Sequence, residues 1–387
     1  MADFDKPSTI SVTCPRGLTP FLQEELQNAG FRTKNIRETG LELTGSLNDC
    51  IRLNFWLRTA HRVHYLIDET TRAANPDSLY KWLTKIPWEN YIPSDGYFSV
   101  TSRIDHPSID NTQFANLRVK DAIVDRFRSI EGRRPDSGSD ISRNVVFLYW
   151  DRSVARIFAD TSGESLNRRG YRTESVTAPL QESLASAILQ ASRWEPGQHL
   201  INPMCGSGTI AIEAALIAKN RPPASLRHDF GFMHIPGYNE EAYNRIRAEA
   251  RTESVKEAEG MIIASDRDER AISAAKKNAI TAGVDRQIKF EICDYDRTPV
   301  PGGDGVVIIN PPYGERLDED GRLGSLYKGI GNFLKNSCPG KTGYVLTGSS
   351  GLAKRIGLRT SQRIPLYNST IECRLLEYEL YRGSGKS

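Results

Sequence analysis

Four consecutive residues carry the clearest chemistry: Asn310, Pro311, Pro312 and Tyr313, which follow the apolar run D-G-V-V-I-I and continue as G-E-R-L. Two prolines fix the backbone and remove two N–H donors. The Pro311 carbonyl and the Asn310 side-chain oxygen are left as acceptors directed at one point. An amine placed there gives a hydrogen to each, which turns its lone pair outward, toward an electrophile such as a methyl group on a sulfonium. Transfer then proceeds by orientation, without a strong general base, and the proton leaves afterwards. Tyr313 supplies a ring on which a nucleobase can stack, a contact worth about 1–3 kcal/mol. These four are the candidate catalytic residues. The plainer reading, a rigid turn before a core tyrosine, leaves unexplained a polar residue between a buried strand and a proline pair.

Three upstream segments describe a nucleoside-bearing ligand. The run N-P-M-C-G-S-G-T supplies Asn202, Pro203, Cys205, Gly206, Ser207, Gly208 and Thr209 between a strand and a helix. Small residues there either admit a ligand close to the backbone or simply tighten strand–helix packing. Asp266, followed by Arg267, ends the apolar strand M-I-I-A-S-D; its carboxylate can accept both hydroxyls of a ribose or cap the helix that starts near Glu269. Asp294, after F-E-I-C, can take an adenine amine or be an ordinary loop aspartate. In dinucleotide enzymes the acid follows the glycines by about 20 residues. Here residues 220–260 intervene, which sets this chain apart from them.

Bringing these segments together requires a parallel sheet, and the pattern from residue 179 onward predicts one. Helices over 180–193, 209–219, 269–282 and 323–335 alternate with strands over 199–202, 260–265, 288–293, 305–309 and 343–347, the signature of βαβ units. Two β-rich runs, 362–366 and 371–381, are expected to form a hairpin turning at 367–369. The first half interleaves its elements less regularly: strand 9–14, a helix bearing Leu18, Phe21, Leu22 and Leu26, helix 51–63, an extended stretch 97–103, helix 114–127 and strand 145–150. That pattern predicts an α+β module. Residues 161–177, rich in Ser, Gly and Arg, read as a connector, and the G-S-G-K-S tail reads as disordered.

Composition narrows the partners. At 387 residues and 39% hydrophobic content, the chain can bury two or three cores. It shows neither a leader-like start nor an apolar stretch long enough to span a membrane, which predicts a cytoplasmic protein. Six scattered cysteines without a C-x-x-C pair signal neither a disulfide framework nor a metal site. A net charge of +3 gives little reason to expect nucleic acid, so any such surface must be local. Two segments qualify: Arg118, Lys120, Arg126, Arg128, Arg133 and Arg134, interspersed with acids in a pattern that also suits a solvated helix face, and Arg168, Arg169 and Arg172 around Tyr171.

The motifs N-P-M-C-G-S-G-T, S-D-R-D and N-P-P-Y-G-E-R-L resemble the class I methyltransferase domain of bacterial 23S ribosomal RNA guanine-N2 methyltransferases. V-T-C-P-R-G-L, F-W-L-R-T-A-H-R-V and L-R-V-K-D-A-I-V-D-R-F-R are similar to the ferredoxin-like segment and THUMP domain that precede it, so nearly the whole chain is covered. The resemblance implies an α/β architecture: a ferredoxin-like segment at 1–55, a THUMP domain at 56–160, a linker at 161–178 and, at 179–383, a Rossmann-like domain with a seven-stranded mixed sheet. It implies S-adenosyl-L-methionine as cofactor, with residues 202–209 at the methionine end, Asp266 with Arg267 at the ribose, Asp294 at the adenine, Asn310 beside both cofactor and target amine, and Pro179, in A-P-L, flanking the pocket. Asn202 departs from the aspartate of the family. RNA is the implied partner, and the THUMP likeness turns Arg118, Lys120, Arg126, Arg168, Arg169 and Arg172 toward it. The implied product is an N2-methylguanine in 23S ribosomal RNA. Alternatives are tRNA as the acceptor, a DNA adenine methyltransferase, and a ribosome-assembly factor that binds RNA without catalysis. Long family members carry a second methyltransferase domain; a chain ending here is expected to make one modification, on a guanine reachable in a loop, in an immature particle or by flipping.

Overall fold

In β1 (Ser8–Thr13), Ile10 and Val12 are buried while Ser11 and Thr13 are half-buried, the two-residue period of a strand with one face on a core. The computed structural model describes residues 1–109, 111–176, 179–313 and 322–381. The G-E-R-L continuation at 314–317, Ala178 of A-P-L and the G-S-G-K-S tail lie outside the described residues. The chain divides into two units: Met1–Cys14, Gln23–Leu166 and Arg227–Ala248 form one, and Pro15–Leu22, Asn167–Leu226 and Glu249–Ser387 the other.

The first unit is built on an eight-stranded sheet. After β1 and helix α1 (Thr19–Asn28, begun in the second unit) come β2 (Thr33–Arg37), β3 (Gly40–Gly45), α2 (Leu47–Trp56), β4 (Arg62–Thr70), α3 (Pro76–Leu83), β5 (Tyr97–Asp105), α4 (Thr112–Glu131), β6 (Asp136–Gly138), β7 (Asn144–Asp151) and β8 (Ala155–Asp160). The spatial order is β2-β3-β1-β4-β8-β7-β5-β6. Helix α4 seats Val119, Ala122, Ile123 and Phe127 against Leu79, Leu83, Trp88 and Trp150, and Gly132 ends it in a left-handed conformation that a glycine adopts without strain. The helix expected over 51–63 starts earlier and stops earlier. A capping box of Ser46 and Asp49 begins α2, and beyond it the Glu25 carboxylate accepts the Arg58 and Thr59 N–H groups (2.8 and 3.2 Å). Val63 and Tyr65 then bury their side chains as part of β4, between β1 and β8.

Residues 220–260, which break the dinucleotide spacing, contribute to this same unit. Phe230 and Phe232 stack with centroids 5.0 Å apart, and Tyr243 meets Phe55 edge-on at 6.0 Å. The Arg227 guanidinium closes the connection by donating to the carbonyls of Ser162, Glu164 and Ser165 at 2.9–3.0 Å.

In the second unit the elements are α5 (Glu182–Ala191), β9 (His199–Pro203), α6 (Thr209–Ala218), α7 (Glu240–Glu253, begun in the first unit), β10 (Ile262–Asp266), α8 (Glu269–Ala282), β11 (Ile288–Ile292), β12 (Gly305–Ile309), α9 (Arg322–Ser337), β13 (Thr342–Thr347), α10 (Ser350–Arg355), β14 (Gln362–Asn368) and β15 (Ile371–Glu379). Seven strands lie in the order β11-β10-β9-β12-β13-β15-β14; the first five are parallel, and β15 runs antiparallel to both its neighbours. This is the mixed Rossmann-like sheet. From β9 the chain proceeds outward through β10 and β11, then returns to place β12 on the other side of β9, so a crevice opens beyond the C-terminal ends of β9 and β12. Helix α9 covers this half with Tyr327, Ile330, Phe333 and Leu334 packed on Val307, Ile309, Val345 and Leu376. The hairpin turns later than expected: β14 runs on through Tyr367 and Asn368, which pairs with Ile371, and Ser369 takes the left-handed conformation (φ 57°) at the two-residue turn.

Candidate active site

The run from Asn202 to Thr209 crosses from β9 to α6 with three left-handed residues, Met204 (φ 55°), Gly206 (φ 56°) and Gly208 (φ 83°). Its two glycines have different work. A Cβ on Gly208 would stand 2.9 Å from the Ala275 Cβ, so this glycine lets α6 approach α8; among the described residues a Cβ on Gly206 would meet just the Val176 Cγ2, at 3.6 Å. Strand β10 ties down the loop: the Cys205 N–H donates to the Ser265 carbonyl (2.9 Å) and the Gly206 N–H to Asp266 Oδ2 (3.0 Å). Asp266 Oδ1 accepts the Asp268 N–H (3.0 Å). The cap of α8 is Asp268, which accepts the Arg270 N–H (2.9 Å), so Asp266 is not the cap and its carboxylate stands at the loop.

A cleft of about 480 Å³ lies here. Its walls include Pro179, Asn202, Cys205, Gly206, Ser207, Thr209, Asp266, Arg267, Asp294 and Asn310 through Tyr313; of the sequence-chosen cofactor residues, Pro203 and Gly208 stand behind the surface. Val176, Leu180, Met204, Ile210, Tyr295, Leu326, Asn368 and Ile371 complete it. Met204 and Leu180 fall within the quoted N-P-M-C-G-S-G-T and A-P-L runs; the other six belong to no motif readable from the sequence. Asn368 and Ile371 come from the tip of the β14–β15 hairpin, a strand pairing that no local signal connects to N-P-P-Y.

Two buried acceptors in this cleft have no hydrogen-bond partner among the described residues: Asn202 Oδ1 and Asn310 Oδ1. Such groups cost about 1–3 kcal/mol when left unpaired, and they accumulate where a ligand completes them. Asn202 also explains its departure from aspartate. The β9–β12 ladder ends at Ile201 and Val307, and one residue further the Asn202 Nδ2 donates to the Ile308 carbonyl (2.8 Å). A carboxylate has no hydrogen to give that carbonyl.

The N-P-P-Y turn is fixed from behind. The Tyr327 hydroxyl donates to the Pro312 carbonyl (3.4 Å) and contacts Thr347 Oγ1 (3.0 Å). Tyr313 accepts a hydrogen bond from Asn368 Nδ2 (2.9 Å), and its ring lies so near Gly348 that a Cβ there would be 3.1 Å from Tyr313 Cδ2. Burial pushes the Tyr313 phenol up, with Cys373 adding to the effect, and burial brings Tyr327 to about 12. Cys205 is also raised, by burial and then by Asp266. All three stay protonated at neutral pH, so none is a ready base or nucleophile; the turn offers orientation.

The three arginines of the basic connector are buried to different degrees: Arg168 is exposed, Arg172 half-buried and Arg169 buried. Arg169 is 1% exposed and pairs with the buried Glu213 (3.6 Å), which also accepts from the Tyr171 hydroxyl (3.0 Å) and Ser186 Oγ (2.7 Å). Arg172 spends its guanidinium on the loop and helix around the cleft. Arg169 is thus buried on an internal acid, and Arg172, half-buried, is held by internal partners. In the first unit Arg126 is held by Glu89 through two bonds (2.9 and 2.6 Å) and Arg118 by Asp77, while Lys120 is half-buried; Arg168, in the second unit, is exposed.

Residues 169–377 match the family model described as RMKL-like, methyltransferase domain. The chain belongs to this RMKL-like methyltransferase family. Residues 9–64 match the RlmL ferredoxin-like domain and 73–137 the THUMP domain. The chain is 39% identical to the ribosomal RNA large subunit methyltransferase K/L of Syntrophotalea carbinolica, over 97% of its own length but 54% of that protein; it thus spans about half of such relatives. A Synechocystis protein provisionally named an RNA methyltransferase is 33% identical, with 95% of this chain and 96% of that one aligned. A provisionally named methyltransferase solved in complex with SAH superposes with a TM-score of 0.88 at 28% identity, covering 98% of this chain and all of the other. Among the described residues no helix is long and apolar enough to cross a membrane.

Proposed function

We propose that the chain transfers a methyl group from S-adenosyl-L-methionine to the exocyclic N2 amine of a guanine in RNA, with 23S ribosomal RNA as the substrate. The observation that carries this reading is the buried, unpartnered Asn310 Oδ1 at the end of β12, in the same cleft as the Gly206 loop and Asp266. The cofactor supplies a methyl group on a positively charged sulfur. The chain's residues fit it: Gly206 leaves the loop open on one side, Asn202 Oδ1 remains an unused acceptor, and each Asp266 oxygen keeps a lone pair for a ribose hydroxyl beyond the one N–H it already holds.

On the acceptor side, Asn310 Oδ1 and the Pro311 carbonyl take the two amine hydrogens, and Tyr327 and Asn368 keep the turn and the Tyr313 ring in place for a stacked base. The protonated Tyr313 and Cys205 leave the amine proton to depart to solvent after transfer. RNA as substrate is supported by the THUMP match and by the naming of the relatives; guanine N2 rests on the resemblance of the N-P-P-Y segment. The test is incubation with methyl-labelled cofactor and unmodified ribosomal RNA, tRNA or DNA, followed by nucleoside mass spectrometry. N2-methylguanosine in ribosomal RNA is the expected product. Label in tRNA moves the substrate, N6-methyladenine in DNA overturns the choice of base, and binding of RNA without label favours an assembly factor.

A further inference from the structure

Arg172 was read from the sequence as a candidate RNA contact, yet its guanidinium makes four hydrogen bonds within the chain. Nε donates to Glu182 Oε1 (3.0 Å), Nη1 to Ser207 Oγ (2.9 Å), and Nη2 to the Leu180 carbonyl (2.9 Å) and Thr209 Oγ1 (3.0 Å). Ser207, Thr209 and Leu180 all line the cleft, the first two from the β9–α6 crossing and Leu180 from the segment before α5, while Arg172 itself does not. One rigid, planar fork therefore joins these two segments. We infer that Arg172 is a positioning residue for the cofactor half of the site: it sets the separation between the Pro179–Leu180 wall and the Gly206 loop, and turns the Ser207 and Thr209 hydroxyls into fixed orientations. This inference rests on the S-adenosyl-L-methionine reading above.

A buried ion pair made only for stability would need Glu182 alone. Here two of the three further bonds go to side-chain hydroxyls of cleft residues in the cofactor loop. The neighbouring arginine serves a separate cluster, around Glu213. The connector's backbone is anchored independently: Asn278 Oδ1 accepts the Thr173 and Glu174 N–H groups (3.0 and 3.1 Å), and its Nδ2 donates to the Glu174 and Ser207 carbonyls (2.9 and 3.2 Å). Removing the Arg172 side chain thus leaves its segment in place. Lysine cannot substitute for the fork, because a single ammonium reaches fewer of four dispersed acceptors.

The test measures SAH binding by calorimetry for the wild-type chain, Arg172→Ala and Arg172→Lys, alongside thermal melts without ligand and KM for RNA. Arg172→Ala is expected to weaken SAH binding by about tenfold or more, the scale of a sub-ångström to ångström misplacement of binding groups. Arg172→Lys should fall between the two. Millimolar guanidinium should restore part of the Ala variant's affinity, a recovery that general loosening of the fold would not show. KM for RNA should stay within about threefold, since the acceptor half is untouched. Wild-type affinity in Arg172→Ala overturns the inference, as does an affinity loss that guanidinium leaves unchanged. If the Ala variant does not fold, wild-type affinity in Arg172→Lys overturns it. Absence of SAH binding by the wild-type chain would instead overturn the cofactor reading.

Discussion

Asn310→Ala separates catalysis from stability in an unusual direction. In most proteins removal of a buried polar side chain breaks a hydrogen bond and costs stability. Here Asn310 Oδ1 is buried with no partner among the described residues, so the free protein already bears the desolvation of that oxygen, about 1–3 kcal/mol. The alanine removes this cost and loses only the packing of a short side chain, so the melting temperature should hold or rise. A gain of 1 kcal/mol corresponds to about 2–4 °C for a domain of this size. Transfer should suffer in the opposite sense. Losing one of two preorganised acceptors for the amine should lower kcat by about 10²–10³-fold, or about 2.7–4 kcal/mol, by analogy with deletion of a single preorganised group at other active sites. Because that grip matters at the transition state, kcat and kcat/KM should fall together. The assay is methyl transfer at saturating RNA, with SAH calorimetry and a ligand-free melt on the same preparation. Activity within about threefold of wild type would refute the orientation mechanism. A fall in melting temperature of more than about 5 °C would show that Asn310 holds the fold and that its oxygen is not idle.

Three further outcomes follow from the geometry. Glu213→Ala removes the buried carboxylate shared by Arg169, the Tyr171 hydroxyl and Ser186 Oγ and should destabilise the second unit by about 1–3 kcal/mol, read in a urea melt; a variant as stable as wild type would mean the cluster contributes nothing. Both glycines are left-handed, so either alanine carries backbone strain, but Gly208→Ala should lower stability further, since its Cβ comes within 2.9 Å of the Ala275 Cβ, whereas Gly206→Ala should in addition weaken SAH binding, its Cβ meeting just Val176 among the described residues; the two effects measured in reverse would undo the division of labour. Asp151 is pushed up by burial but more than compensated by hydrogen bonds from Ser153, Val154 and Tyr149, which bring it down to about 2 from 3.8. A depressed carboxylate contributes stability above its unfolded value that is lost as pH falls from 3.8 through about 2, so Asp151→Asn should flatten that part of the acid-unfolding curve.

How far the sequence reaches depends on how local the signal is. Strand β12 and helix α8 were readable to their boundaries because a five-residue apolar run and a 3.6-residue period are self-contained. Strand β2, T-K-N-I-R, is half-buried at its first residue and exposed over the rest, an edge strand with no hydrophobic alternation; pairing with β3 defines it and cannot be seen in five residues. The end of α2 escaped for a related reason. The W-L-R-T-A-H-R-V segment keeps good helix formers, and what stops the helix is the Glu25 carboxylate on the Arg58 and Thr59 amides.

The same distinction governs the site. Motifs carried the cleft residues that lie at strand ends, but Asn368 and Ile371 enter only through the β14–β15 hairpin, and the burial of Arg169 was not legible because charge density says nothing of burial. Glu213 and Glu182 sit on helices whose faces look apolar enough to be core, and a carboxylate inside such a face announces that a cation must come to it. The basic connector beside two buried acids was therefore a decidable case: Arg169 and Arg172 neutralise them. Asn202 follows the same logic from the other side. Replacing an expected aspartate looks like loss of a binding charge, yet the amide gives the Ile308 carbonyl the donor it needs where the β9–β12 ladder ends and still leaves an oxygen free. The substitution exchanges charge for a backbone bond at the mouth of the crevice, and a cofactor ammonium would then meet a neutral acceptor.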